Sequence, residues 1–514
     1  MTSRPMPRLA AVGAILALTL AACSQEQTEP TEQESTTQQG KPAGTVQEGF
    51  ETYYEQSVAW EQCGGGTFQC ADITAPMDWN DPESETITIA AQMYEARGDA
   101  KGTVIINPGG PGGSGVELVG VAPLIFGEDL LENYNVLGFD PRGVSASSAV
   151  TCYDAPEMDR YLSLSVNTVN EKTLPILQEE ADKFAQACLD NTGDLLGHVD
   201  TISSARDVDL LRSVMGDEKL HYLGFSYGTQ LGATYAGLFP ENVGRMVLDG
   251  AIDPRLTPFE QTIEQAQGFE SSLRLYVDSC LSTPESCPLT GTTDEAMEQI
   301  SELLDDISAT PLQTDDPDGR VLTRSLAFYG VAYPMYAPVI WDQLSAALDS
   351  AMNTNDGSLL LDLSDQYFGR EDGEYTSNQT EAFNAINCMD SRGTEDLAGM
   401  DEEAQKIVDA APVMGESFTY GGVGCANWPF DVVESDYDMA APGAAPILVV
   451  GTTNDPATPY KWAEGLAEVL ESGVLITSEG DGHTAYGQST QCIIDTVDAY
   501  FVDGTVPETD PVCS

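Results

Sequence analysis

Short apolar runs alternate with amphipathic segments along the first half of the chain. Five runs have the length and pattern of β-strands: Thr86 to Met93, Thr103 to Asn107, Asn135 to Phe139, Leu220 to Phe225 and Arg245 to Asp249. Apolar residues recur at helical spacing in three longer segments: Glu179 to Leu189, Ser204 to Met215 and Thr229 to Phe239. Alternating strands and helices are typical of a mostly parallel sheet with helices on both faces, so we predict an α/β fold.

The pattern changes between residues 256 and 430, where strand runs disappear. Four amphipathic helices are predicted there: Gln261 to Cys280, Asp294 to Ile307, Trp341 to Met352 and Asp401 to Ala411. Strand runs return at Pro446 to Gly451 and Val474 to Thr477, and helical patterns follow each of them, at Lys461 to Leu470 and Thr490 to Phe501. We therefore predict a core built from residues 49–255 and 431–514, with a mainly helical cap domain inserted at 256–430.

The N-terminus has the features of an export signal. Arg4 and Arg8 precede an apolar run from Ala10 to Leu20 that is too short to span a bilayer as a mature helix. The run ends in Leu20-Ala21-Ala22-Cys23, which resembles a bacterial lipobox; the alternative is ordinary cleavage after Ala22. Residues 23–48 are polar and rich in Gln, Glu and Thr, as in a flexible tether. We expect residues 1–22 to be removed and the protein to be exported, either anchored at the cell surface through a lipid on Cys23 or shed into the medium.

The charge is strongly one-sided, with 21 basic and 83 acidic residues and a net charge of −62. Such a surface repels nucleic acid and anionic lipid headgroups, so the lipid on Cys23 is the only membrane contact we expect. The acidity fits a protein that works in high salt, and it fits an ordinary acidic secreted protein equally well. It carries no information on the oligomeric state.

The cysteines point to disulfides. Without Cys23, ten of the 11 cysteines remain, an even number in a chain that we expect to be exported. Proximity in the chain favours five pairs: Cys63 with Cys70, Cys152 with Cys188, Cys280 with Cys287, Cys388 with Cys425, and Cys492 with Cys513. Because the chain contains no C-x-x-C and only three histidines, we predict neither a metal site nor a cofactor.

One motif carries a candidate nucleophile. The predicted strand that ends at Phe225 runs into Gly224-Phe225-Ser226-Tyr227-Gly228, and a helical segment follows. A serine on such a strand-to-helix turn has an exposed oxygen, and the flanking glycines let the turn close. Ser226 is therefore the predicted nucleophile.

A serine hydroxyl needs a base, and histidine is the usual one. His198 precedes the serine and His221 lies on its strand, whereas His483 follows the last predicted strand. The chain order Ser, acid, His of hydrolases with this turn selects His483. The acid that orients it is predicted to be Asp455, directly after the Pro446 to Gly451 run; Asp249 and Asp481 are the alternatives.

Acyl chemistry also needs donors for an oxyanion. The backbone N–H of Tyr227 is one candidate, since it follows the nucleophile. The other candidate is the backbone N–H of Gly110, which lies in the glycine-rich loop Asn107-Pro108-Gly109-Gly110-Pro111-Gly112-Gly113. The loop lacks the Gly-Lys-Ser/Thr ending of a phosphate-binding loop, so nucleotide binding is not expected.

Together these pieces resemble the secreted bacterial tripeptidyl aminopeptidases, relatives of the prolyl aminopeptidases. The resemblance runs from about Trp60 to Cys513 and rests on five segments: Asn107 to Gly112, Gly138 to Gly143, Gly224 to Thr229, Asp455 to Pro459, and Gly482-His483. It implies an α/β-hydrolase fold with a helical cap, a Ser226–Asp455–His483 triad, and cleavage of short peptides from a free N-terminus.

The chain departs from the prolyl aminopeptidase pattern at one position, because Pro108 stands where those enzymes have a histidine. This puts narrow proline specificity in doubt. Ala385-Ile386-Asn387-Cys388-Met389-Asp390 also resembles a family segment, so Asp390 is a candidate to bind the substrate ammonium; it could equally be a solvated loop acid. An esterase or lipase using the same triad, and a surface lipoprotein that binds peptides without turnover, are the competing functions.

Overall fold

Eleven strands form one mixed sheet that carries all the loops discussed below. The structure is a computed structural model that describes residues 36–39, 46–166, 169–434 and 437–514. The predicted signal segment and Cys23 lie outside the described residues. In chain order the strands of this sheet are β1 (Thr36–Gln39), β2 (Ser57–Cys63), β3 (Phe68–Pro76), β4 (Thr86–Tyr94), β5 (Thr103–Asn107), β6 (Asn135–Phe139), β7 (Leu220–Phe225), β8 (Val243–Asp249), β11 (Ile447–Asn454), β12 (Gly473–Asp481) and β13 (Val512–Cys513), while β9 (Arg370–Glu371) and β10 (Glu374–Tyr375) form a separate hairpin.

The sheet is antiparallel at one side and parallel over the rest. Its order is β1-β2-β3-β4-β6-β5-β7-β8-β11-β12-β13. The pairs from β1 to β4 and the β4–β6 pair are antiparallel, whereas every pair from β6 to β13 is parallel. The α/β-hydrolase fold with a mostly parallel sheet is thereby confirmed.

The central strands are buried on both faces, which explains their continuous apolar sequence. Every residue of β5 is buried. Val104 and Ile106 pack in one hydrophobic cluster and Ile105 packs in the other, as the twofold alternation of a strand requires. Both faces of the sheet are therefore covered by helices.

The helices fall into two groups along the chain. Those of the core are α1 (Glu51–Tyr54), α2 (Gly115–Gly120), α3 (Ala122–Ile125), α4 (Glu128–Asn133), α5 (Ala155–Leu162), α6 (Leu174–Thr192), α7 (Thr201–Val214), α8 (Tyr227–Leu238), α16 (Tyr460–Val469) and α17 (Gln491–Asp503). Those between β8 and β11 are α9 (Pro258–Leu281), α10 (Thr293–Ala309), α11 (Arg324–Ala332), α12 (Trp341–Thr354), α13 (Ser358–Phe368), α14 (Gln379–Asp390) and α15 (Leu397–Ala410). We call this second group the cap helices.

Some elements differ from the sequence prediction. Strands β2, β3 and β4 follow one another without an intervening α-helix, so strict alternation does not hold at the start of the chain. The side chains of β2 and β3 alternate between exposed and buried, and the polar positions obscured these two strands in the sequence. The cap segment also contains the short β9–β10 hairpin, although no strand was expected there.

Five disulfides join the cysteine pairs that proximity predicts: Cys63–Cys70, Cys152–Cys188, Cys280–Cys287, Cys388–Cys425 and Cys492–Cys513. Cys388–Cys425 connects α14 to the segment that leads back towards the core. None of the helices that the structure describes is long and apolar enough to cross a membrane.

A buried ion pair holds the loop after β6 against the core. Arg142 and Asp207 are fully buried and form two hydrogen bonds of 2.7 Å. Trp79 donates its indole N–H to Asp207 at 2.9 Å, and Arg142 also donates to the carbonyl oxygens of Met77 and His198. The guanidinium thus has its charge balanced and most of its donors used, which a buried cation requires.

We expect Asp207→Asn to destabilise the protein by about 3–5 kcal/mol, because it leaves Arg142 buried without a counter-charge. The measurement is the denaturation midpoint of the variant against wild type. Glu402→Gln, which breaks the exposed Lys406–Glu402 pair, is the control and should leave the midpoint unchanged. Equal shifts in the two variants would contradict this account of the Arg142 cluster.

Candidate active site

The parallel strands bring the predicted site residues to one edge of the sheet. Strands β5, β7, β8, β11 and β12 are neighbours in that order and run in the same direction, so their carboxyl ends lie side by side. Ser226 directly follows β7, Asp455 directly follows β11, and His483 lies two residues after β12. Such an edge is where open α/β sheets bind ligands.

Ser226 has the backbone of a strained strand-to-helix turn. Its φ is 55° and its ψ is −124°, a combination that side-chain-bearing residues rarely adopt. The turn closes only because Gly224 and Gly228 lack side chains: a Cβ on Gly224 would lie 2.3 Å from the Gly228 carbonyl oxygen, and one on Gly228 would lie 2.8 Å from the Asn107 carbonyl oxygen. The Ser226 N–H donates to the Asp249 carbonyl at 2.8 Å, which joins the turn to β8.

His483 and Asp455 form a hydrogen-bonded pair. The imidazole Nδ1 lies 2.9 Å from both carboxylate oxygens of Asp455. The buried carboxylate also accepts the backbone N–H groups of Ala457, Thr458 and Thr484 and the Thr458 hydroxyl. These bonds fix the carboxylate, which in turn orients the imidazole so that Nε2 is left for a reacting proton.

Two opposing effects act on the imidazole of His483. Burial lowers its pKa, while the charge of Asp455 and the hydrogen bond to it raise the pKa by more; Asp249 adds to the rise. The net result is a pKa above the ordinary value of a histidine. The protonated form that a general base reaches during reaction is therefore stabilised.

The alternative acids have other partners. Asp249 is fully buried and accepts the backbone N–H groups of Ala485 and Tyr486 instead of the histidine ring. Asp481 accepts a hydrogen bond from the side chain of Asn454 at 2.7 Å. Of the three acids considered, Asp455 is the one that contacts the imidazole.

The other two histidines make structural contacts. His221 accepts the backbone N–H of Arg245 on Nδ1 and packs edge-on against the Tyr134 ring. Burial lowers its pKa to about 4, so this ring stays neutral. The His198 carbonyl is one of the acceptors for Arg142.

The glycine-rich loop lies against the nucleophile turn. A Cβ on Gly109 would lie 2.8 Å from the Ser226 Cβ and 3.1 Å from the Tyr227 nitrogen, so the two backbones are in contact. Within the part of the chain that the structure describes, the N–H groups of Tyr227 and Gly110 donate to no protein acceptor. The Tyr227 nitrogen therefore lies at the contact between the turn and the loop, and Gly110 is the next loop residue after Gly109.

Asp390 reaches the same turn from the cap. It is the last residue of α14, and it accepts both the backbone N–H and the hydroxyl of Thr201. The Thr201 hydroxyl lies 2.5 Å from the Tyr227 hydroxyl, so Asp390 is linked to the residue that follows the nucleophile. Burial raises the pKa of Asp390 to about 7; Thr201 opposes this rise and Asp200 adds to it. Among the described residues no Lys, Arg or His pairs with this carboxylate.

The segment between β8 and β11 contacts each of the loops around Ser226. The glycine-rich loop packs on α14, because a Cβ on Gly112 would lie 2.8 Å from the Gln379 carbonyl oxygen. Helix α9 approaches the acid loop closely, and its Gln265 donates to the Ala457 carbonyl at 2.7 Å. Tyr336 accepts the backbone N–H of His483 and packs its ring edge-on against the imidazole at 5.4 Å.

Three residues at the site were not identified from the sequence: Thr201, Tyr336 and Thr458. Thr458 lies in the Asp455 to Pro459 segment, so a closer study of that segment could have found it. Thr201 and Tyr336 reach the site only through the tertiary fold, and no local pattern marks them. Within the described ranges, no cluster of His, Cys, Asp or Glu is arranged to hold a metal ion.

Comparison with known proteins identifies the family. Residues 102–290 match the family model described as alpha/beta hydrolase fold, and residues 411–513 match the one described as TAP-like protein. The chain is 34% identical over 478 residues to the serine protease Hip1 of Mycobacterium tuberculosis. The aligned region covers 89% of this chain and 91% of that protein. It is 36% identical over 455 residues to carboxylesterase B of the same organism (87% and 86% covered) and 28% identical over 471 residues to the tripeptidyl aminopeptidase of Streptomyces lividans (89% and 86% covered). The chain is a serine hydrolase of the TAP-like α/β-hydrolase family.

Proposed function

We propose that this protein is an exported serine aminopeptidase that releases short peptides, chiefly tripeptides, from free N-termini. The observation that carries the proposal is the hydrogen-bonded Asp455–His483 pair at the sheet edge where Ser226 occupies its strained turn. The similarity to a tripeptidyl aminopeptidase and to a serine protease supports a peptide substrate. The signal-like N-terminus and Cys23 support a lipid-anchored protein at the cell surface.

The residues have distinct roles in this reaction. His483 takes the proton of the Ser226 hydroxyl on Nε2 as Oγ attacks the peptide carbonyl, and Asp455 stabilises the resulting imidazolium. The N–H groups of Tyr227 and Gly110 bind the oxyanion. Collapse of the tetrahedral intermediate breaks the C–N bond, and His483 gives its proton to the leaving amine. Water then hydrolyses the acyl-enzyme by the same route.

Asp390 is the proposed binding group for the substrate ammonium. A carboxylate that is desolvated and lacks a cationic partner gains most from an incoming cation. Its connection through Thr201 to Tyr227 keeps it near the nucleophile turn. A fixed anion at that place would limit the number of residues between the free N-terminus and the cleaved bond.

An esterase is the second candidate, because carboxylesterase B is among the similar proteins. The triad serves ester and amide bonds alike, so the difference lies in the need for a free ammonium. An esterase would accept neutral acyl groups, whereas the proposed aminopeptidase would reject them.

A fluorophosphonate probe should label the wild-type protein and should not label Ser226→Ala. The wild type should cleave a tripeptide anilide with a free N-terminus, and N-acetylation should lower kcat/KM by about 10- to 100-fold, since it removes a charge-assisted bond. Labelling without any preference for the free N-terminus would favour the esterase. Absence of labelling in the wild type would contradict both enzymatic functions and favour a peptide-binding lipoprotein.

The pH dependence should report His483. Because its pKa is raised and the neutral ring is the base, the labelling rate should fall as the pH drops through a midpoint above about 6.5.

Asp455→Asn should lower both the midpoint and the plateau rate, the latter by about 10⁴-fold, since the ring loses its orienting anion. Asp481→Asn removes an acid two residues from His483 and should behave like wild type. A changed midpoint in Asp481→Asn alone would contradict the assignment of Asp455.

Asp390→Asn should lower kcat/KM for free tripeptide anilides by about 10- to 100-fold, mainly through KM, and should leave the N-acetylated substrate unaffected. Glu381→Gln is the matched control, because Glu381 is also buried on α14 with a pKa raised to about 7 by burial. Loss of the preference in Glu381→Gln instead would place the anchor at the other end of α14 and refute the role of Asp390.

A further inference from the structure

Asp249 connects the nucleophile turn to the histidine loop. It is the last residue of β8, and none of its surface is exposed. Its carbonyl oxygen accepts the N–H of Ser226 at 2.8 Å. Its carboxylate accepts the N–H of Ala485 at 3.0 and 3.1 Å and that of Tyr486 at 2.7 Å. One residue therefore holds the backbone on both sides of the reacting centre.

The loop after His483 depends on two carboxylates. Thr484 has a φ of 66°, so the chain turns sharply directly after the histidine. This turn points three successive N–H groups inward: that of Thr484 donates to Asp455, and those of Ala485 and Tyr486 donate to Asp249. Asp455 thus holds the ring and the start of the turn, while Asp249 holds the rest of it.

Asp249 also acts on the imidazole through its charge. The charged groups that face it are Asp455 and His483, and the charge of Asp249 contributes to the raised pKa of His483. Burial raises the pKa of Asp249 to about 6, although the two backbone N–H groups oppose this. The carboxylate lies within electrostatic reach of the imidazolium that the proposed reaction forms.

We propose that Asp249 is a positioning residue of the reaction. It fixes the turn that presents His483 to Ser226, and its negative charge adds to that of Asp455 in stabilising the protonated imidazole. This role rests on the proposed function, but both of its physical consequences can be measured without substrate turnover.

The test is Asp249→Asn in the full chain with ¹³C-labelled histidine. With only three histidines in the chain, the His483 ring signal can be assigned by comparison with His483→Gln and titrated directly. We expect its pKa to fall by about one pH unit, since a nearby negative charge is lost. We also expect the fluorophosphonate labelling rate at pH 8 to fall about 10- to 100-fold, because a neutral amide oxygen binds the two N–H groups more weakly than a carboxylate does and the amide NH2 would face the Ala485 N–H, so the loop shifts.

Asp498→Asn is the matched control. Asp498 is also buried, its pKa is likewise raised to about 6, and it too contacts Tyr486, but through the phenol hydroxyl at 2.6 Å. It should leave the His483 titration and the labelling rate as in wild type. If Asp249→Asn does not fold, Asp249→Ser removes the charge without placing an amide NH2 group in the buried site and carries the same expectations.

A wild-type His483 titration and labelling rate in the folded Asp249 variants would overturn the proposal. Equal effects in Asp498→Asn would also overturn it, because they would reflect a general loosening of the core. Failure of the proposed function has a separate signature: wild type that does not label, or that labels without a preference for a free N-terminus, while the His483 titration still responds to Asp249→Asn.

Discussion

The positive φ of Ser226 is the constraint around which this site is organised. Holding a serine in that region costs about 1–3 kcal/mol, and the turn persists only where the surroundings enforce it. Here they do so from three sides: Gly224 and Gly228 allow close backbone contacts, Thr229 donates to the Ser226 carbonyl, and Asp249 accepts the Ser226 N–H. The last of these contacts ties the nucleophile to the strand that also holds the histidine loop.

We propose that the segment between β8 and β11, which contains the cap helices, selects the substrate. This segment touches the glycine-rich loop through α14, the acid loop through α9, and the histidine through Tyr336, which lies between α11 and α12. A cap that contacts all three loops can change what enters the cleft without changing the triad. Proteins named as a protease, a carboxylesterase and an aminopeptidase resemble this chain at 34%, 36% and 28% identity, so the fold alone does not fix the substrate.

The sequence predicts the central strands best, because the burial of these strands shows directly as short apolar runs. The strands β5, β6 and β7 begin and end where the apolar runs predicted, because strands buried on both faces have few polar residues. Strands β2 and β3 are not predicted from the sequence, since exposed positions interrupt the apolar pattern along both of them. The contact between Asp390 and Thr201 joins residues 189 apart, and that between Asp249 and Ala485 spans 236 residues. No pattern in a single sequence indicates contacts between residues so far apart, so these roles can be inferred only from the three-dimensional structure.

These long-range contacts also give the site a common electrostatic character. In the core, buried acids such as Asp207 and Asp209 are paired with Arg142 and Arg212. At the sheet edge, Asp249, Asp390 and Asp455 have no Lys or Arg partner among the described residues, and backbone N–H groups and hydroxyls solvate them instead. Such sites are only partly neutralised, so they favour added positive charge. The proposed reaction brings two cations to this edge: the imidazolium of His483 in the transition state, and the ammonium of a peptide substrate. A neutral ester would provide only the first, and this asymmetry is the physical reason to favour the aminopeptidase.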